Sequence, residues 1–168
     1  MKHLFKVRML MLTALLLMGA FTIASAQRPA TINRPIGVDH PFAFRGAGIA
    51  TFITDGAGNP TGATITLAGT ATNLSLWTGV GELQFAPANP PLISATGQAI
   101  FTTDSGDQLS VVLRDGVLDP ATALSTGSMQ FIGGTGRYTN ASGSANYVVT
   151  QNLVTGAFET TMVGTLRY

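Results

Sequence analysis

The chain has no cysteine, and that absence removes disulfide staples, thiolate metal sites and a cysteine nucleophile together. Charge is almost as scarce, with only 10% of the 168 residues Asp, Glu, Lys or Arg. A nucleic-acid footprint needs a basic stripe to collect phosphates, and nine cations against eight anions supply none, so no nucleic-acid partner is expected. Histidine occurs only as His3 and His40. His40 has neither a second histidine nor a cysteine beside it, so no metal site is expected and no Ser-His-Asp triad can be argued around it. Low charge with low hydropathy would mean disorder, but the mean hydropathy is +0.32. The length allows one domain with one real core.

The first residues differ from the rest. Lys2, Lys6 and Arg8 precede a nearly unbroken apolar run from Met9 to Ile23, and Ala24-Ser25-Ala26 offers the small side chains that a signal peptidase fits. This predicts a secretory signal peptide over residues 1–26, cut between Ala26 and Gln27, and a secreted or periplasmic protein. An uncleaved anchor is the alternative, since Met9 to Ala26 approaches the roughly 20 residues that span a bilayer. Gly19, the small-residue site and the polar Gln27-Arg28 favour cleavage. Removing residues 1–26 takes away both lysines and Arg8, leaving six arginines against eight acids, a net charge of −2. The pI near 8.2 therefore belongs to the export segment.

Beyond a Pro-containing lead, residues 27–41, no apolar pattern at helical spacing lasts longer than a turn. Thr, Val, Ile, Phe, Ala and Gly dominate instead, broken by turn signals at intervals that suit an all-β domain. The pattern predicts strands at Phe42–Phe52, Ala63–Ala71, Leu76–Phe85, Leu92–Thr103, Gln108–Arg114, Leu124–Ile132, Gly143–Thr150 and Ala157–Tyr168. Asp115-Gly116 and Asp119-Pro120 mark the turn after the fifth. Eight antiparallel strands on short connections favour an up-and-down barrel over residues 42–168, which closes without leaving an edge. An open sandwich is the alternative, but the many strand glycines suit coiled strands and tight barrel corners better.

Candidate chemistry is sparse. Gly133-Gly134-Thr135-Gly136-Arg137-Tyr138 lacks the last glycine of a dinucleotide fingerprint and no helix follows it, so it is read as a turn and no cofactor is expected. Asp104 and Asp107 flank a hairpin, where Asp satisfies turn amides, and too few oxygen ligands accompany them for calcium. Glu82, Asp107 and Arg114 are the nominees for catalytic roles among charges in or beside strands. Glu82 would be an acid or base if it pointed inward, and is read as a solvated outer-face charge. Trp77, Phe85, Phe101, Phe131, Tyr147 and Phe158 supply bulk for a barrel interior. Asn73-Leu74-Ser75 and Asn140-Ala141-Ser142 match the glycosylation sequon by pattern alone.

The run Phe131 to Tyr138, followed by Ala141-Ser142-Gly143, resembles a motif of the dirigent and allene oxide cyclase barrel superfamily, and more closely of its small secreted bacterial members. Those carry GGTGRF, small residues and ATG, then a strand and a last hairpin, the place filled here by Ser144 to Tyr168. The hairpin Asp104-Ser105-Gly106-Asp107-Gln108-Leu109 is similar to their NGDxL. The stretch Ala68 to Ser75 takes the place of their GxATHLG segment, with Asn73 for the histidine and Ser75 for the glycine, so that histidine's role is lost or altered. The resemblance covers Phe42 to Tyr168 and implies a calycin- or dirigent-like barrel, with Gly133, Gly134, Gly136, Arg137 and Gly143 as structural loop positions. Members that act on substrates do so in the barrel cavity, but no catalytic set carries over onto this chain.

Three functions fit. The first is a non-enzymatic secreted barrel that binds a small apolar molecule or an extracellular surface. The second is a cyclase or isomerase that steers an apolar intermediate by shape. The third is an eight-stranded outer-membrane barrel ending in the aromatic Tyr168. Counting back in twos from there gives Leu166, Gly164, Met162 and Thr160, the face such a barrel would turn to lipid.

Overall fold

The computed structural model describes residues 37–72 and 75–168, so the expected signal peptide and its cleavage point lie outside the described residues. Eight strands form a closed barrel in simple meander order: β1 Asp39–Thr54, β2 Pro60–Ala71, β3 Leu76–Pro87, β4 Ile93–Thr103, β5 Gln108–Asp119, β6 Leu124–Gly134, β7 Ser142–Gln151 and β8 Ala157–Arg167. Each strand pairs antiparallel with the next, and β8 pairs with β1. The sheet therefore has no free edge.

Several boundaries differ from the sequence reading, among them the start of β2 at Pro60 rather than Ala63, and two of them have a plain cause. β1 begins at Asp39, three residues inside the segment read as a lead, because His40 and Pro41 pair with Leu166 and Thr165 of β8. β5 does not turn at Asp115-Gly116 but continues to Asp119. Asp115 takes φ 50 and the register with β6 shifts between Arg114 and Val117, so the dipeptide forms a β-bulge. The turn comes later, where Asp119 Oδ1 accepts from the Ala121 amide at 2.9 Å and Oδ2 from the Thr122 hydroxyl at 3.0 Å.

A strand's side chains alternate between its faces, so one face fills the barrel and the other meets water. In β8, Phe158, Thr160, Met162 and Leu166 are buried, while Ala157, Glu159, Thr161, Val163 and Thr165 are exposed. The face counted back from the C-terminus thus points inward, not to lipid. Arg45, Glu82, Arg114 and Glu159 stand exposed on the outer wall. The interior is apolar where a membrane-spanning barrel has a polar lumen, which counts against the outer-membrane alternative, although Ile49, Val80, Ile100, Ile132 and Val163 are also exposed on the outer wall.

The interior is filled by aromatic rings laid over glycines. A methyl group on Gly46 would sit 2.7 Å from the Phe44 ring, and one on Gly69 would meet the same ring. The Phe158 ring lies over Gly48 in the same way. Tyr147 reaches from β7 across β6 to β5, so that a methyl on either Gly127 or Gly116 would come within 2.5 Å of its hydroxyl. Missing side chains on one or two strands make room for each large ring, which is how a narrow barrel reaches dense packing.

The barrel seam carries one ion pair. Arg167 donates from Nε and Nη2 to the two carboxylate oxygens of its register partner Asp39, at 2.7 and 2.9 Å.

Gly127→Ala is expected to lose about 1–3 kcal/mol of stability in urea denaturation through overpacking, and to lose less in a Tyr147→Ala background. Gly56→Ala, with nothing within 4 Å of the new methyl, is expected to stay within about 0.5 kcal/mol. The hydrogen bond and charge of Arg167 hold the Asp39 carboxyl below its ordinary pKa. A depressed carboxyl stabilises the fold above its unfolded pKa, and the contribution is lost as pH falls through the folded value. The difference in Tm between wild type and Asp39→Asn should therefore shrink as pH is lowered from about 6 to about 3.

Candidate functional site

The two ends of the barrel are built differently. At one end an aromatic layer closes the interior, with Trp77 at its centre. Its ring centroid lies 5.9 Å from Phe42, 6.1 Å from Phe101 and 5.7 Å from Tyr138, and Phe42 meets Phe131 edge-on at 5.0 Å. Trp77 also donates its indole N–H to the Ser75 hydroxyl at 2.7 Å, as a buried indole must.

The glycine-rich loop seats this layer. Gly136 to Tyr138 form one 3₁₀ turn that lays Tyr138 across the end, where Tyr168 packs on it edge-to-face at 5.1 Å. Thr135 clips the loop to β5: its amide donates to the Gln108 carbonyl at 2.8 Å and its hydroxyl accepts from the Gln108 amide at 3.0 Å. Gly136 has φ 55, and any side chain there would collide with the Asp107 carboxylate. Arg137 completes the attachment, with Nε 3.1 Å from Asp107 Oδ2 and Nη2 donating to the Ser105 hydroxyl at 3.2 Å.

Asp107, one of the three nominated residues, is therefore half-buried in an ion pair that ties the loop to the β4–β5 hairpin at the closed end. Glu82 and Arg114 are exposed on the outer faces of β3 and β5. The structure does not bring the three together, and none lines the barrel interior. A hollow of about 290 Å³ lies outside the aromatic layer, against His40, Asp104, Arg137 and Tyr168.

The opposite end is open. All eight strands contribute to a cavity of about 70 Å³, among them Phe52 of β1, Ile65 of β2, Phe85 of β3 and Leu113 of β5. On that measure a single water needs roughly 10–15 Å³. These four residues are only half-buried, unlike the sealed aromatic layer, and they form an apolar mouth facing water. No charged side chain lines the cavity.

Its polar groups are few: Tyr147, Ser125, Gln151 and Thr160. Burial pushes the Tyr147 phenol above its ordinary pKa, with the Ser125 hydroxyl beside it opposing and Asp115 adding to the rise. Thr160 is 2% exposed and its hydroxyl has no hydrogen-bond partner. Leaving such a group unsatisfied costs about 1–3 kcal/mol. Thr103, the other buried threonine, shows how this is normally avoided: its hydroxyl lies 2.8 Å from that of Ser105 and donates to the Asp107 carbonyl at 3.2 Å. Sequence reasoning reached Tyr147 as interior bulk but placed Thr160 only on the lipid-facing row of the outer-membrane alternative, whereas it shares an inward face with Phe158 and Met162.

With the geometry established, comparison with known proteins places the fold. The barrel is dirigent-like. The pterocarpan synthase dirigent proteins GePTS1 and PsPTS1 superpose on it with TM-scores of 0.51 and 0.54, at 13% and 14% sequence identity. Both matches cover 79% of this chain, and 87% and 96% of theirs. At that identity the likeness establishes the architecture and carries no residue roles. No protein-family model and no curated protein matches the sequence.

Burial also raises the pKa of Tyr138 above its ordinary value. A phenol kept neutral by the fold leaves stability flat below the unfolded pKa near 10 and lowers it as pH climbs through the folded value. Absorbance titration should show Tyr138 and Tyr147 ionising above pH 10, with stability declining over the same range. Tyr147→Phe should remove the Tyr147 part of both changes.

Proposed function

We propose that the chain is an exported, non-enzymatic dirigent-like barrel that holds a small apolar molecule at its open end. The supporting observation is the contrast between the two ends: one sealed by packed aromatic rings, the other an uncharged cavity with a half-buried apolar mouth. Sites for drug-sized ligands run to about 300–1,000 Å³. A cavity of about 70 Å³ accepts one end of such a molecule, while the rest lies across Phe52, Phe85 and the rim. General acid–base work needs a titratable group within reach of the reacting atoms, and the cavity offers no carboxylate, histidine or lysine, only the phenol of Tyr147, whose pKa burial raises.

A second reading is a barrel that steers a reactive apolar intermediate by shape. Its support is the likeness to proteins described as pterocarpan synthase dirigent proteins, together with the four polar groups in the cavity. Mass spectrometry of organic extracts from the purified protein, with turnover assays on epoxide-type substrates, separates the two. A co-purifying apolar molecule left unchanged supports binding, and product formation supports steering.

Occupancy can be tested without knowing the ligand. Xenon enters small apolar cavities, so pressurised xenon is expected to shift the methyl resonances of Leu83, Leu113 and Val149. Ala63→Leu, which points a larger side chain into the cavity, should weaken that response at least tenfold at a stability cost of about 1–3 kcal/mol. Undisturbed methyl resonances in the wild type would defeat the cavity reading.

A further inference from the structure

The inward face of β8 reads Phe158, Thr160, Met162, Gly164, Leu166, and Thr160 is its one polar member. Valine has the same shape and suits an apolar wall better, yet a hydroxyl stands there with no partner at 2% exposure. Register places Thr160 between Val149 of β7 and Gly46 of β1, and puts Gln151, the partner of Phe158, diagonally across from it. Both Thr160 and Gln151 line the cavity, so one wall carries polar groups while the lining as a whole is apolar. Neither is charged.

Resting on the cavity reading above, we infer that Thr160 is the polar anchor of this site, and that its ligand is a neutral apolar molecule bearing one hydroxyl or carbonyl oxygen. The threonine hydroxyl both donates and accepts, so it serves either group. A pure hydrocarbon leaves the hydroxyl orphaned. A carboxylate is refused, because nothing in the lining compensates a buried negative charge.

The test compares cyclopentanol, cyclopentanone, methylcyclopentane and cyclopentanecarboxylate in methyl-detected NMR titrations of wild type, Thr160→Val and Thr160→Ser. Thr160→Val is expected to weaken cyclopentanol and cyclopentanone about tenfold and to leave methylcyclopentane unchanged or tighter. Thr160→Ser, which keeps the hydroxyl, should retain the two oxygen-bearing ligands. The carboxylate should not bind any of the three proteins. Thr160→Val should also match or exceed the Tm of wild type, because it removes an orphan. If methylcyclopentane binds and Thr160→Val leaves cyclopentanol affinity unchanged, or lowers Tm, the anchor is overturned and the cavity reading stands. If no compound perturbs the cavity methyls, both fall.

Discussion

Aromatic rings lying against bare glycine backbone are the contact on which this barrel depends. A closed sheet of eight strands leaves an interior just wide enough for side chains, and something must fill it at protein density. Here Phe44 occupies the space that Gly46 and Gly69 leave open, and Tyr147 the space over Gly127 and Gly116. Phe44 shares β1 with Gly46 and reaches Gly69 on β2, Tyr147 of β7 reaches across β6 to β5, and Phe158 of β8 crosses the seam to Gly48 of β1. The packing thus selects one register: a slip by one residue would turn the rings to solvent and the outer charges inward.

That mode of filling also explains why the ends differ. Phe42, Trp77, Phe101, Phe131 and Tyr138 crowd one end and meet ring to ring. The other end is walled largely by aliphatic side chains and alanines, with Ala50, Ala63 and Ala95 among them, and the sum of their volumes falls short of the space. The cavity is what remains when bulk is concentrated at one end of a barrel. Asp107 and Arg137 belong to the same division, because their ion pair holds the loop that seats Tyr138 on the closed end.

Much of this was legible in the residues, and the exceptions have identifiable causes. Alternation with turn signals gave eight strands and the up-and-down order, because each turn carries its own glycine, Asp or Pro chemistry. Asp115-Gly116 misled because a dipeptide that tolerates positive φ serves a hairpin turn and a β-bulge equally, and only pairing with β6 decides between them. The face from Thr160 to Leu166 was visible as a period-two row. Whether it met lipid or core depended on closure and on where the charges of the other strands fell. Glu82, Asp107 and Arg114 stood out as charges in an uncharged sequence, but scarcity does not place a residue at a site. The structure puts two of them in water and one in a staple.

The same scarcity limits what the open end can do. Discrimination among ligands in an uncharged cavity rests on shape and on a few hydroxyl or amide groups, and shape alone separates neighbouring hydrocarbons weakly. A buried polar group that must be satisfied discriminates far more strongly, because the wrong ligand leaves it unpaired. In this barrel every interior position but a handful is hydrocarbon, so a single hydroxyl stands out chemically in a way that it would not in a polar pocket. Replacing the expected valine by threonine changes no packing, needs no new loop and adds no charge. It is the smallest alteration by which an inert, fully packed barrel wall acquires a preference.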